Sequence, residues 1–201
     1  MADVPSTRLS LLARLRDAGD HAAWSDFVRL YAPVLYRFGR RHGLQDADAA
    51  DLTQEVLRGV SRGIGRLDFD PRRGRFRSWL FTLAHRRLYD LLLQKRHQAQ
   101  GSGDTAAQLA LQEQPDRAEE ERWHQELEKE MFRCAAERVR PNFSETTWQA
   151  FWRTAVEGQS GREAAEALGL SVAAVYLARG RVMVRLKEEI TRMTADEEAN
   201  P

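Results

Sequence analysis

Cysteine is almost absent from this 201-residue sequence, in which Cys134 is the only thiol. A single cysteine cannot form an internal disulfide or a cysteine-based zinc site. The sequence also lacks any run of about 18 apolar residues, so we expect no membrane-spanning helix. The first five residues, Met1–Pro5, do not have the basic and then apolar order of a secretory signal. We therefore expect a cytoplasmic protein.

The motifs of common enzyme classes are missing as well. The five histidines lie far apart, without metal-ligand spacing such as H-E-x-x-H. Neither a G-x-S-x-G nucleophile turn nor a Walker-type phosphate loop occurs. We therefore predict that the protein is not an enzyme, and we expect no catalytic residue, no metal site and no cofactor.

The net charge of +1 conceals an uneven distribution. Residues 1–100 contain 18 basic and 11 acidic side chains, a net charge of +7, whereas residues 101–201 contain 13 and 19, a net charge of −6. Such an asymmetry suggests that the first half contacts nucleic acid. Two ordinary solvated surfaces would give the same counts, so charge alone leaves both interpretations open.

Apolar residues recur at helical spacing along most of the sequence, and no alternating pattern predicts a strand. Helices are expected to begin near Asp20, at Asp46 or Asp48, and at Ser144, because these side chains accept hydrogen bonds from free amides of a first helical turn. Pro141 is expected to end a helix, since its ring does not fit a helix interior. The sequence therefore predicts an all-α fold.

Residues 98–116 interrupt this periodicity with small and polar residues that have little to bury. Such a composition is typical of a flexible linker. We therefore predict two small helical domains, residues 1–97 and 117–195, joined by a linker at 98–116.

The sharpest local pattern lies in the second domain and predicts a helix-turn-helix. Ala165 provides a small contact between two helices, and Gly169 allows the positive φ of a tight turn. Ser171 is expected to cap the second helix, and Val175 to return to the core. In this motif the second helix enters the major groove of DNA. An ordinary pair of packed helices is the alternative.

Basic and aromatic residues alternate in the segment 72–96 of the first domain. Cations follow phosphates, and aromatic rings stack on the bases of a single strand. The alternative is a core helix with solvated arginines, which we favour for Leu80 and Leu83.

The preceding predicted helix contains Asp51, Gln54, Glu55 and Arg58 at positions i, i+3, i+4 and i+7, which share one face. An acidic patch is unsuited to DNA and fits a protein partner with a positive surface. A solvated helix face is equally compatible with this pattern.

Three motifs together resemble the bacterial sigma-70 family, in its short extracytoplasmic-function group. The residues 51–56, DLTQEV, resemble the core-polymerase-binding helix of the family. The segment that begins FRSWL at Phe76 and continues through Asp90 resembles its promoter-melting segment, and residues 164–186 resemble its region-four helix-turn-helix. The motifs occur in the family's order and together span most of residues 20–190.

The resemblance implies that residues 1–97 form a region-two domain and residues 117–195 a region-four domain. It assigns docking on the polymerase β′ clamp to Asp51, Gln54, Glu55 and Arg58. It assigns recognition and melting of the −10 element to Arg75, Arg77, Trp79, Arg86, Arg87, Asp90, Lys95 and Arg96. It assigns recognition of the −35 element to Ser171, Ala173, Ala174, Tyr176, Leu177, Arg179 and Arg181.

The implied partners are core RNA polymerase, through its β′ clamp and β flap, and promoter DNA; an anti-sigma factor is a further candidate, and a membrane is not expected. The sequence departs from the family at His85, where asparagine is frequent, and at 174–178, where Thr-Val-Lys-Ser-Arg is frequent. A stand-alone helix-turn-helix regulator is the alternative function, motivated by residues 161–185.

Overall fold

The computed structural model describes residues 11–65, 76–100 and 116–194. Every regular element in these ranges is helical, which confirms the all-α prediction. The α-helices are α1 (Leu11–Arg14), α2 (His21–Arg41), α3 (Asp46–Gly63), α4 (Phe76–Gln100), α5 (Arg117–Val139), α6 (Glu145–Phe151), α7 (Gly161–Leu168) and α8 (Val172–Thr194).

The helices begin and end close to the positions that the local sequence predicts. The Asp20 carboxylate accepts a hydrogen bond from the Ala23 amide (2.9 Å), and the Ser144 hydroxyl accepts one from the Thr147 amide (3.3 Å). Helix α3 begins at Asp46. Pro141 lies in a 3₁₀ turn that directly follows α5. Side-chain caps therefore mark the starts of α2 and α6, whereas α3 begins at Asp46 without a side-chain cap.

The described residues divide into two compact units, one that runs to Glu130 and one formed by Met131–Thr194. The boundary falls inside α5. It differs from the predicted linker at 98–116, of which residues 98–100 continue α4 and residues 101–115 lie outside the described residues.

Unit 1 has a core of aromatic and aliphatic side chains from α2, α3, α4 and the first half of α5. Leu80 is fully buried, as the sequence predicts, and Leu83 is half-buried. Helices α2 and α3 approach closely at Gly39, where an added Cβ atom would lie 3.1 Å from the Leu52 side chain. Close contact between these two helices holds α3 with its polar face outward.

Unit 2 contains two neighbouring apolar clusters. One joins the second half of α5 to α6 and α8 through Ala135, Val139, Trp148, Val182 and Leu186, among others. The other joins α6, α7 and the start of α8 through Ala150, Ala164, Ala165, Val175 and Ala178. The small residues of the second cluster let α7 and α8 cross at short range.

Among the described residues, no single helix has the length and apolar content needed to cross a membrane. One bent pair, α7 with α8, passes that test by length and composition, and its two helices are turned by 102°.

Candidate functional surfaces

The predicted acidic face forms a patch on α3, here called the α3 patch and consisting of Asp51, Gln54, Glu55 and Arg58. Asp51, Gln54 and Arg58 are exposed, and Glu55 is half-buried. Arg58 donates hydrogen bonds to Glu55 Oε1 (2.7 Å) and to Gln54 Oε1 (3.2 Å). The guanidinium orders two of its neighbours, while the Asp51 carboxylate stays exposed at the start of the patch.

A second surface runs along α4 and combines an aromatic ring with charge. It consists of five residues, at positions 79, 83, 86, 87 and 90. Their spacing of i, i+4, i+7, i+8 and i+11 places them on one stripe of the helix. The Trp79 ring packs on Phe76, with ring centroids 5.4 Å apart, and remains half-exposed. Arg86 is exposed, and Arg87 donates to Asp90 at 3.5 Å. This α4 stripe consists of Trp79, Leu83, Arg86, Arg87 and Asp90.

The remaining candidates for the −10 surface are Arg75, Arg77, Lys95 and Arg96, of which the structure describes the side chains of Arg77 and Lys95. Arg77 is half-buried, at a helical position that does not face the α4 stripe. Lys95 forms an ion pair with Asp48 of α3. Arg75 lies outside the described residues, as does the side chain of Arg96.

The predicted turn between α7 and α8 has the geometry of a bihelical corner. Gly169 has a φ of 64°, in the left-handed region, and Ala165 and Val175 are buried at the contact. The Ser171 hydroxyl accepts a hydrogen bond from the Ala174 amide at 3.1 Å, which confirms the predicted cap. Together with the 102° turn between the helices, these features reproduce the pattern read from the sequence.

The candidate −35 residues are not equally accessible on α8. Ala173, Tyr176, Leu177 and Arg181 are exposed, whereas Ala174 and Arg179 are half-buried. The tip of the Tyr176 ring lies so close to Gly161 that a Cβ atom there would be 2.8 Å from the hydroxyl oxygen. Tyr176 therefore folds across the start of α7.

A capping box at the start of α7 escaped the sequence-based prediction. The Ser160 hydroxyl accepts from the Glu163 amide (3.2 Å), and Glu163 Oε2 accepts from the Ser160 amide (2.8 Å). Hydrogen bonds from Ser160 hold the pKa of Glu163 below its ordinary value. The pattern S-x-x-E before an apolar run is the signal that would have identified it.

A groove in unit 2 also has no counterpart among the predicted sites. It has a volume of about 470 Å³ and lies between the second half of α5 and α6. Trp148 and Trp152 stack beside it with ring centroids 6.1 Å apart. This tryptophan groove is lined by Phe132, Arg133, Ala136, Glu137, Arg140, Trp148, Gln149 and Trp152.

The first half of α5 contacts the other helices of unit 1 through charge as well as packing. The His42 ring lies 2.6 Å from Glu119, and the ring of the buried His85 lies 3.7 Å from the same carboxylate. Arg41 forms an ion pair with Glu126, and burial lowers the pKa of Arg41. His85, which stands where asparagine is frequent in the family, thus lies against α5 and away from the α4 stripe.

Comparison with known proteins first identifies the family of one segment of the chain. Residues 27–98 match the family Sigma-70 region 2. This range includes α3 and nearly all of α4, so the α3 patch and the α4 stripe lie in a sigma-70 region-two domain.

A curated relative narrows the assignment. The ECF RNA polymerase sigma factor RpoE of Cereibacter sphaeroides is 30% identical over 88 residues, which is 44% of this chain and 48% of that protein. These two matches bear out the predicted resemblance: residues 27–98 form a region-2 domain of the sigma-70 family, and part of the chain is similar to an extracytoplasmic-function sigma factor. The chain spans about half the length of the curated relative that it matches.

A solved structure of CnrH in complex with the cytosolic domain of CnrY is also similar to this chain. The alignment covers 92% of this chain and 96% of that one, with 24% identity and a TM-score of 0.35.

Proposed function

We propose that the protein is an alternative sigma factor, which binds core RNA polymerase and directs promoter recognition, DNA melting and transcription initiation. One observation carries this proposal: the segment that matches region 2 presents two exposed surfaces of different chemistry on neighbouring helices. A specificity subunit of this kind needs one surface for the polymerase and another for DNA, and it needs no catalytic residue.

The α3 patch is proposed to dock on the β′ clamp of the polymerase. Its exposed carboxylate at Asp51 and the half-exposed carboxylate of Glu55 are complementary to a positively charged partner. The two hydrogen bonds from Arg58 favour one arrangement of Glu55 and Gln54 before binding. Preorganised side chains lose less entropy when a complex forms.

The α4 stripe is proposed to hold the opened −10 element. Melting a duplex costs stacking and pairing energy, a few kcal/mol for each extruded base. Stacking of a base on an aromatic ring such as Trp79 contributes about 1–3 kcal/mol of binding free energy, which offsets part of this cost. Arg86 and Arg87 are positioned on the same stripe to follow the phosphates of that strand.

Unit 2 is proposed to bind promoter DNA upstream of the −10 element. The exposed start of α8, with Ala173, Tyr176 and Leu177, is proposed to face the −35 element, with Ser171 at its cap and Arg181 toward the phosphates. The tryptophan groove suits an apolar helix, and we propose the polymerase β flap as its occupant. Two weak contacts joined in one chain strengthen each other when both can engage at once.

The test of the polymerase assignment is a charge reversal on the α3 patch. The double variant Asp51→Lys with Glu55→Lys should weaken binding to core polymerase by about tenfold or more, as charge reversal at a complementary interface does. The control is Glu128→Lys with Glu166→Lys, which reverses two exposed carboxylates outside the patch. Affinity is measured by fluorescence anisotropy, and the helical content of each variant by circular dichroism.

Equal affinity for both variants would refute the docking face. A chain that binds no polymerase but binds duplex DNA tightly by itself would instead support the stand-alone regulator, for which the α7–α8 corner is the structural argument. Such regulators usually bind as two-fold dimers, so the oligomeric state on DNA separates the two functions.

A further inference from the structure

The first residue of α7, Gly161, is buried, and its backbone does not account for the choice of glycine. Its φ is not in the left-handed region, in contrast to that of Gly169. A Cβ atom at Gly161 would lie 2.8 Å from Cζ and from the hydroxyl oxygen of Tyr176, and 2.9 Å from its Cε2. Nonbonded carbon atoms approach only to about 3.5 Å without repulsion. The Tyr176 ring therefore occupies the space that a side chain at position 161 would need.

Tyr176 differs from its exposed neighbours on α8 in the direction of its side chain. It lies near the start of the helix, and long helical side chains lean toward the N-terminus of their helix. From there the ring reaches the start of α7, although the residue stays 53% exposed. A ring that lies on α7 does not extend at the same time to a base edge. Ala173 and Leu177 are exposed and share a face, because they are four residues apart.

The ring adds an aromatic contact to a helix crossing that is otherwise made of small residues. The buried residues at this crossing include Ala164, Ala165 and Val175. In a helix-turn-helix the first helix crosses the DNA backbone while the second lies in the major groove, so the angle between them sets how the second helix meets the bases. A contact that holds this angle before binding reduces the entropy lost when the complex forms.

We propose that Tyr176 is a positioning residue for recognition of the −35 element. Its ring packs on Gly161 and holds the start of α8 at a fixed angle to α7, while contact with bases falls to Ala173 and Leu177. Apolar side chains of this kind complement the methyl group of thymine. The inference rests on the proposed function of unit 2 and deepens it, because it separates the residue that orients the helix from those that contact bases.

The contact itself is tested without DNA, by NMR of the full-length chain. The α protons of Gly161 should show a nuclear Overhauser effect to the ring protons of Tyr176, and Tyr176→Phe should keep it. Gly161→Ala should remove this effect and leave the helical content unchanged, because the ring is the end of a half-exposed side chain and can move away. Gly161→Ala therefore displaces the ring without changing Tyr176.

The effect on recognition is tested with the full-length chain, purified core polymerase and a library of duplex DNA of random sequence. Gly161→Ala and Tyr176→Ala should each lower affinity for the enriched duplex by at least about threefold and enrich the same bases, as expected of residues that act through one contact. Leu177→Ala should change which bases are enriched. The control Met183→Ala, at a 47% exposed position further along α8, should change neither affinity nor base preference.

The double variant Gly161→Ala with Tyr176→Ala should bind no more weakly than Tyr176→Ala alone, because the added methyl group then meets no ring. Losses that simply add, a changed base preference in Tyr176→Ala, or no Overhauser effect between the two residues would each overturn the proposal. If the Overhauser effect is present and no form of the chain enriches any sequence, the proposed −35 function is itself refuted, and the positioning role with it.

Discussion

Gly169 and Gly180 differ in what their backbones require, although both lie in the α7–α8 region. Gly169 has a positive φ, so Gly169→Ala should lower the free energy of unfolding of unit 2 by about 1 kcal/mol. Gly180 lies inside α8 with open space around it, so Gly180→Ala should raise that free energy by about 0.5–1 kcal/mol. Native-state hydrogen exchange at the buried Val175 and Val182 measures the free energy of unfolding of each variant. If both substitutions changed it with the same sign, the different backbone requirements of Gly169 and Gly180 would be contradicted.

The Glu163 carboxylate should titrate below an ordinary glutamate because Ser160 donates hydrogen bonds to its charged form. Its stabilising contribution is therefore present above the ordinary pKa, about 4.3, and is lost as the pH falls through the lowered value. Carbon-13 NMR of the carboxyl group measures the titration, and Ser160→Ala should return the pKa toward normal. An ordinary pKa in the unchanged chain would show that the capping box does not form.

Single residues were predictable where the signal is local. The caps at Asp20, Ser144 and Ser171 follow from side chains that accept hydrogen bonds from amides three residues later. The assignment of Lys95 to DNA stays a prediction, and its ion pair with Asp48, 47 residues away, has no signal in the local sequence. A contact over that distance leaves no trace in the local pattern.

The first half of α5 is an integral part of unit 1. The fully buried Trp123 ring lies 5.6 Å from Phe38 and 5.7 Å from Phe81, centroid to centroid. Trp123→Ala should therefore lower the free energy of unfolding of unit 1 by about 3–5 kcal/mol, as removal of a buried aromatic side chain usually does.

Hydrogen exchange at core amides of α2 and α4 measures this loss. The control is Trp24→Ala, which removes a half-buried tryptophan and should cost less. A loss below about 1 kcal/mol for Trp123→Ala would contradict the packing of α5 on unit 1.

The sequence predicts that helices form, but it predicts less well where each helix continues or changes its geometry. Helix α2 continues through Pro33, which local rules treat as a helix breaker, and the turns on both sides of Pro33 are buried in the core of unit 1. Helix α6 passes into a π-helical turn at Trp152–Val156, where the Thr154 hydroxyl donates to the Ala150 carbonyl at 2.7 Å. Neither feature has a signal in the apolar periodicity.

For the molecule as a whole, motif order carried more information than composition. The three motifs in their order pointed to the sigma-70 family, whose region 2 the comparison finds at residues 27–98, and helical spacing predicted the face shared by the α3 patch. Composition predicted a division at 98–116, whereas the compact units divide inside α5. Tertiary contacts of Trp123 and Glu119 decide that boundary, and their partners are distant in sequence.

The proposed sigma-factor function requires this chain to direct a polymerase to promoters. The most direct measurement is a map of RNA 5′ ends made by purified core polymerase on genomic DNA fragments, with and without the chain. If the chain is a sigma factor, new start sites that share sequence near −10 and −35 should appear with the chain and disappear without it. An identical set of start sites in both reactions, from a chain shown to be folded, would contradict it.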